Sequence, residues 1–437
     1  MIWNEAVETL DRPALESIQS TRLATLTAYV YERVPFYRQK LDELGCTPSM
    51  IKDVRDLSQL PFTRKTDLRD HYPFGLFAVP REEIIRIHAS SGTTGKPTVV
   101  GYTRDDIEVW AEVCARSFAL SGAKPGDIFQ NAYGYGLFTG GLGMHYGAER
   151  MGLAVVPVSG GNTARQVMLF QDFQTDIMAC TPSYALTLAD ALLESGTDPA
   201  DLPARSFILG AEPWTDAMRE EIEAKLHVDA VNIYGLSEII GPGVSNECVE
   251  AKDGMHIMED HFLAEIIDPE SGEQLPDGQV GELVFTTLTK QAMPLLRYRT
   301  GDLCSINREP CKCGRTHARM SRILGRADDM LIIRGVNVYP TQIEAALIGL
   351  DALSPHYRLV VRRADRLDTL EVQAEVTEEY FSRVGGNMDT DSVAALGNQI
   401  RDRLREALGL STQITLVAPG HTPRSEGGKL SRVDDQR

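Results

Sequence analysis

The sequence predicts an α/β protein in two parts, a large layered N-terminal α/β domain followed by a small α+β domain, and three observations carry that prediction. From about Ile84 to Phe285, short apolar runs ("EIIRIH", "LAVVPVSG", "ARSFILGAE", "DAVNIYG") alternate with longer helical patterns, as expected of strands layered with helices. Beyond Tyr298 the texture changes. In "GRADDMLIIRGVNVYPTQIE" charge, Gly and Pro interrupt an apolar segment, which places a boundary at Asp328 and divides the chain into 1–327 and 328–437. The remainder, about 110 residues, holds a self-contained set of helix and strand patterns of a size that can fold as one unit.

The elements follow in order. From Asp11 to Gly45 the pattern is helical, with Leu23, Leu26 and Val30 on one face and punctuation at Pro35 and Gly45. Within the alternating region, Asp216 to Leu226 reads as a helix. In the C-terminal part, Thr341 to Leu350 reads as a helix, and Leu370, Val372, Ala374 and Val376 show strand alternation. A second helix carries Val393, Leu396, Ile400, Leu404 and Leu408 on one stripe, and Gln413 to Val417 reads as a strand. The tail "HTPRSEGGKLSRVDDQR" is a polar loop with one conspicuous lysine. No internal repeat or low-complexity tract is present.

Bulk properties narrow the function. A net charge of −18 over 437 residues argues against a nucleic-acid binder, which needs a basic face. No run approaches the length of a membrane span, and "MIWNEAVETLDRP" lacks the cationic start and apolar centre of a secretory signal, so no membrane association and a cytoplasmic location are expected. A homodimer stays open. Seven unevenly spread cysteines point to reduced thiols or a metal site rather than a disulfide framework.

The loop "SSGTTGKP" carries the first chemical signal. Ser90, Ser91, Thr93 and Thr94 supply hydroxyls, Gly92 and Gly95 let backbone N–H groups approach an oxyanion, and Lys96 adds positive charge. It is not a P-loop, because only two residues separate Gly92 from Gly95 and Pro97 follows Lys96. Neither "GYGLFTGG" nor "GLGMHYG" has dinucleotide-fold spacing. A surface hairpin rich in Ser, Thr and Gly has the same composition, so the loop by itself leaves phosphate binding and a plain turn both open.

Further motifs decide between them. "SSGTTGKP" resembles the phosphate-binding signature of the adenylate-forming superfamily, the acyl-coenzyme A synthetases and their relatives. "IYGLSE" (Ile233 to Glu238) resembles its adenine-site motif, "YRTGDL" (Tyr298 to Leu303) its ribose motif, "GRADDMLIIRGVNVYPTQIE" its hinge and "GGKL" (Gly427 to Leu430) its catalytic-lysine segment, all in the family's order. "YVYERVPFYRQKL", "NAYGYGLFTGGLGMHYGAERMGLAVVP", "GPGVSNEC", "GMHIMEDHFLAEIIDP" and "TTLTKQAMPLLRYRTGDL" narrow the resemblance to phenylacetate-coenzyme A ligases, over roughly residues 25 to 432. That resemblance implies a layered N-terminal domain, a small mobile C-terminal domain, and two half-reactions. A carboxylate attacks the α-phosphate of ATP to give an acyl-adenylate and pyrophosphate; the thiol of coenzyme A then displaces AMP.

The resemblance also assigns expectations to residues. Lys429 matches the adenylation lysine and, with Thr94 and Glu238, forms the catalytic set; Glu238 would hold Mg2+ against the phosphates. Glu212, Tyr234, Gly235, Ser237, Asp302, Arg326, Asp328, Arg334 and Gly335 complete the nucleotide and coenzyme A expectations. Tyr234 would offer its ring to adenine, Asp302 would accept the ribose hydroxyls, and Arg326 would reach ribose or phosphate. Asp328 would be the hinge about which the small domain turns to present "IRGVNVYP" for the thiol.

The acid pocket is expected from "YGYGLFTGG", "GAEP" and "IIGPG": Tyr135, Gly136, Phe138, Gly210, Ala211, Ile233, Ile240, Gly241 and Pro242. Aromatics and glycines leave a flat apolar slot, and no Arg or Lys stands in these stretches to pair a second carboxylate, so an aromatic monocarboxylic acid is expected. "PCKCGRTH" and "NECVEAKDGMH" supply a candidate structural zinc site of Cys248, His256, Cys311 and Cys313, with His317 as the alternative imidazole. The expected activity is an aryl acid–coenzyme A ligase, phenylacetate favoured, using ATP, coenzyme A and Mg2+. The alternative is an adenylate-forming enzyme for another aryl acid, or one passing its product to a carrier-protein thiol or a deazaflavin hydroxyl.

Overall fold

The computed structural model describes residues 1–90, 97–327, 331–334, 336–338, 340–364, 367–422 and 432–436. The chain forms two compact units, the first comprising Met1–Ala211 with Ile222–Ile323 and the second Glu212–Glu221 with Leu324–Arg437. The boundary expected at Asp328 lies outside the described residues.

The first unit is organised by a nine-stranded sheet. Strands Ala154–Val156, Ile128–Asn131, Ile177–Cys180, Ser206–Leu209 and Asp229–Leu236 lie side by side in parallel, and Gly241–Glu247, Met255–Ile257, Arg319–Met320 and Ile306–Asn307 continue the sheet antiparallel. Every residue of Ile177–Cys180 and Ser206–Leu209 is buried. Parallel strands covered on both faces read as short continuous apolar runs rather than as alternation, which is the pattern the sequence shows. Helices Gly140–Met151, Thr163–Asp172 and Pro182–Glu194 make the crossovers. Their ends follow local chemistry: the Thr181 hydroxyl accepts from the Tyr184 amide with Pro182 in the first turn, and Gly152 closes Gly140–Met151 in the left-handed region at φ 86°.

Strand order decides where the chemistry sits. The chain leaves Ile128–Asn131 for the edge strand Ala154–Val156, then returns to the other side at Ile177–Cys180. Ligands of open α/β sheets bind beyond the carboxyl ends of strands around such a reversal. A second, antiparallel sheet carries Phe262–Ile267, Gly281–Thr287 and Tyr298–Cys304, and a hairpin pairs Arg86–Ser90 with Thr98–Tyr102. The expected N-terminal helix is two helices, Arg12–Arg33 and Pro35–Glu43, because Pro35 cannot continue the hydrogen-bond ladder. Leu23, Leu26 and Val30 are buried as the periodicity predicts.

In the second unit, strands Gln413–Val417, Leu367–Val376, Leu353–Ala364 and Val433–Asp435 form one sheet. Helix Asp391–Leu408 buries Val393, Leu396, Ile400, Leu404 and Leu408 in a core shared with Leu359, Val361, Leu370 and Val372. The helix expected to reach Leu350 is Pro340–Leu347, with Gly349 turning into the left-handed region at φ 79° just beyond it. Among the described residues no helix is long and apolar enough to cross a membrane.

Candidate active site and metal cluster

The carboxyl ends of the parallel strands gather the expected acid-pocket residues and part of the nucleotide set. Tyr135, Gly136 and Phe138 follow Ile128–Asn131; Gly210 and Ala211 follow Ser206–Leu209; Ile233 to Ser237 close Asp229–Leu236, and the turn continues through Glu238 and Ile240 into Gly241–Glu247. Here the backbones run too close for side chains. A Cβ at Gly235 would lie 1.9 Å from the Gly241 carbonyl oxygen, at a register shift between Tyr234 and Gly235. Gly241 itself sits at φ 111°, where a Cβ would strike Trp110. Ala211 is held at φ 70°, a left-handed conformation that L-residues adopt under strain, and such strain concentrates at binding sites.

Charged and polar groups then fill in. The Tyr234 hydroxyl donates to Asp302 Oδ2 at 2.6 Å, joining the adenine-site and ribose motifs directly. Burial, and next the Asp302 carboxylate, hold the Tyr234 hydroxyl well above the ordinary tyrosine pKa, so it remains a donor. Its ring lies against Phe285, with centroids 6.3 Å apart and 28° between planes. Glu238 is buried, its Oε1 3.7 Å from Lys65 Nζ. Ser237 Oγ meets Thr139 Oγ1 at 3.1 Å. Next to the loop the Ser90 hydroxyl and that of its register partner Thr98 are buried, with no hydrogen-bond partner among the described residues. Such orphaned hydroxyls suit an oxyanion ligand.

The pocket stretch is ordered by its own network. The Tyr135 hydroxyl accepts from Asn131 Nδ2 at 2.9 Å and bonds His145 Nδ1 at 3.1 Å, and burial pushes its pKa up to about 12. Phe138 is exposed, whereas Ile233 and Ile240 are buried. Glu212, Arg326 and Arg334 belong to the second unit, where Arg334, at φ 54°, donates from Nε to the Asp368 carbonyl at 3.0 Å. Ser91, Gly92, Thr93, Thr94, Gly95, Lys96, Asp328, Gly335 and Lys429 lie outside the described residues.

Two cations were not signalled by the sequence. Lys65 begins a short polar helix with no pattern around it. Lys290 lies inside "TTLTKQAM" without a role; it is buried, donates to the Ile239 carbonyl at 2.9 Å, and burial lowers its pKa to about 8 against the opposing pull of Asp106 and Glu238.

The cysteine expectation meets a defined cluster. Ligand atoms of Cys248, His256, Cys311 and Cys313 all lie within 4.8 Å of one another. Cys248 Sγ is 3.7 Å from Cys311 Sγ, and Cys313 Sγ is 3.5 Å from His256 Nε2. Tetrahedral zinc with bonds of about 2.3 Å to sulfur and about 2.0 Å to nitrogen requires separations of about 3.8 and 3.5 Å, so the donors present fit that ion. The imidazole in this cluster is that of His256, whose Nε2 meets Cys313 Sγ; His317 is not among the four. The same loop holds the start of the chain: Arg315 pairs with Glu8 at 2.6 Å and donates to the Met1 carbonyl at 2.8 Å.

Comparison with known proteins agrees with this geometry. The family model described as AMP-binding enzyme matches residues 26–289, and that of the AMP-binding enzyme C-terminal domain matches 335–437. The chain is 59% identical over 444 residues to a phenylacetate-coenzyme A ligase of Thermus thermophilus, covering 100% of each. It is 50% identical to the ligase of that name from Escherichia coli, covering 99% of this chain and 97% of the other. A crystal structure of 2-hydroxyisobutyryl-CoA ligase in the postadenylation state with 2-HIB-AMP superposes with a TM-score of 0.91 at 30% identity, covering 100% of this chain and 92% of that one. With matching models over both parts of the chain and relatives at this identity over its whole length, the chain belongs to the AMP-binding enzymes and, within them, to the phenylacetate-coenzyme A ligase family.

Proposed function

We propose that this protein joins an aromatic monocarboxylic acid, phenylacetate being favoured, to coenzyme A at the expense of ATP, in two steps through an acyl-adenylate. In the first, a carboxylate oxygen bonds to the α-phosphorus and the bond to the bridging oxygen breaks, releasing pyrophosphate. In the second, the coenzyme A sulfur, its proton lost, bonds to the acyl carbon and the AMP phosphate leaves. The observation that carries this reading is the Tyr234–Asp302 contact at 2.6 Å beside the buried Glu238, at the carboxyl ends of the parallel strands.

On this reading the residues take the following roles. Asp302, which accepts from Tyr234, would accept the ribose hydroxyls. The crowded glycines would leave flat backbone walls between nucleotide and acid, and Tyr135 and Phe138 would offer apolar surface to an aryl ring, with the buried Ile233 and Ile240 forming the floor behind them. Glu238 supplies the hard oxygen that would hold Mg2+, whose chemistry is to neutralise charge on the phosphates; Lys65 beside it would support the same charge. The loop from Ser90 to Lys96 would hold the β- and γ-phosphates, so it grips the leaving group, while Lys429 would bridge acid and α-phosphate. We assign 1–327 to the adenylation domain and 328–437 to the mobile domain, with Asp328 as hinge and Arg334 and Gly335 on the face presented for the thiol.

Pyrophosphate release across aryl, aryl-acetic and short aliphatic acids, with and without coenzyme A, tests this reading. Phenylacetate is expected to give the highest kcat/KM and a thioester product. No acid-dependent pyrophosphate would overturn the enzyme reading, and adenylate without thioester would transfer the acyl group to a different acceptor.

The zinc reading has its own test. Cys248, His256, Cys311 and Cys313 leave no open coordination position, so the ion would be a staple between the sheet, the Cys311–His317 loop and the N-terminal segment. Purified protein is expected to contain one zinc per chain, and Cys311→Ser to lose it with a fall in Tm of roughly 5 °C or more. Pyrophosphate release at low temperature is expected to survive. An unchanged metal content or unchanged Tm would refute the site.

A further inference from the structure

The turn joining the proposed metal residue to the proposed acid pocket has its backbone held by side chains from elsewhere. Lys290 Nζ donates to the carbonyls of Glu238, at 3.4 Å, and Ile239, at 2.9 Å. The Tyr102 hydroxyl donates to the Ile240 carbonyl at 2.9 Å, and Trp110 Nε1 to that of Pro242 at 3.0 Å. Tyr102 and Trp110 are stacked, with centroids 5.0 Å apart and 13° between planes, and Lys290 Nζ sits 4.7 Å from the Tyr102 ring centroid. The lysine is itself anchored: the Asp106 carboxylate accepts the amides of Gln291 and Ala292 at 2.7 and 2.9 Å. Asp106 also accepts the Thr103 amide in the capping box that begins the helix Arg104–Leu120, which carries Trp110.

A buried ammonium is an expensive way to hold two neutral carbonyls. Only 4% of Lys290 is exposed, and for stability an apolar chain with a local backbone turn would serve as well. What the cation adds is direction: it stands under the turn that carries Glu238 and Ile240, to which the roles toward metal and acid are assigned above.

We propose that Lys290 is a positioning residue for adenylation, fixing the Glu238–Ile240 backbone so that the metal-facing carboxylate and the floor of the acid pocket are presented together. The proposal rests on the roles of Glu238 and Ile240 given above. It does not follow from them, since those roles require no buried lysine.

The test compares Lys290→Met, Lys290→Arg and Glu238→Gln in the full-length protein. Acid-dependent pyrophosphate release is measured against Mg2+ and phenylacetate concentration, and thioester formation from supplied phenylacetyl-adenylate and coenzyme A is measured separately. For Lys290→Met the adenylation kcat is expected to fall about tenfold or more, with a raised Mg2+ requirement and a raised KM for acid, while the second half-reaction stays within about threefold. Lys290→Arg, which keeps a donor cation, is expected to recover part of both. Equal loss of the two half-reactions, or a lowered Tm with unchanged Mg2+ requirement and acid KM, would reduce Lys290 to a structural residue and overturn the proposal. If Lys290→Met does not fold, Lys290→Gln carries the same comparison. If Glu238→Gln leaves the Mg2+ requirement unchanged, the metal role of Glu238 fails separately, and Lys290 is judged on acid KM alone.

Discussion

Lys429→Ala is expected to reduce acid-dependent pyrophosphate release by about 10²–10³, while thioester formation from supplied phenylacetyl-adenylate and coenzyme A stays within a few-fold. The first step brings a carboxylate against a polyphosphate, and two unit charges 4 Å apart repel by about 4 kcal/mol at an effective dielectric near 20. A lysine bridging the two offsets that repulsion most where charge concentrates on the α-phosphate, in the transition state, so its loss appears in kcat. The second step moves negative charge from the thiolate sulfur to the departing AMP phosphate and brings no carboxylate against a polyphosphate, so it needs no such bridge. Three residues beyond Lys429 the chain is firmly held: Arg432 pairs with Glu344 at 3.5 Å and lies 4.3 Å over the Tyr357 ring, and Asp434 pairs with Arg358 at 2.6 Å. The residues after Lys429 are thus anchored to the second unit, so Lys429 would travel with that unit in the turn proposed above. Parallel kinetics on the two half-reactions check this, and equal loss of both would refute a lysine that serves only adenylation.

Gly235→Ala is expected to be the most damaging single-carbon change near the site. The added Cβ would lie 1.9 Å from the Gly241 carbonyl oxygen and 2.8 Å from the Pro242 Cα, and both obstacles are backbone. No rotamer change relieves it. Strands Asp229–Leu236 and Gly241–Glu247 must separate where Gly235 faces Pro242. Overpacking of this kind costs about 1–3 kcal/mol, which thermal unfolding would register as a Tm lowered by several degrees. Because the same displacement moves Tyr234 from Asp302 and Glu238 from its turn, pyrophosphate release should fall further than stability alone requires. A variant with native Tm and native kinetics would show that the two strands pair less closely than described.

Much of this was legible in the chain. The helix over Asp216–Leu226, the strand Gln413–Val417 and the stripe from Val393 to Leu408 follow from periodicity, because a face that must be buried repeats at the pitch of its element. Helix ends were less legible: Thr341 to Leu350 reads as one apolar pattern, yet Gly349 adopts φ 79° and the helix stops at Leu347. Motif order gave the site its candidates, and the structure places the described pocket and Tyr234–Asp302 residues at neighbouring strand ends.

By itself, then, the sequence determined what is written locally: helix and strand periods, the glycine and hydroxyl spacing of the loop, the family's motifs in order, and cysteines and histidines able to bind a metal. Only the tertiary structure decided which distant groups meet. Tyr234 and Asp302 are 68 residues apart, Lys290 and Ile239 51, and Cys313 and His256 57. It chose His256 over His317 and revealed the lysine beneath Glu238. Such pairings depend on strand order and on which strand ends face one crevice, and a periodic pattern carries a residue's face but not its neighbour across the sheet.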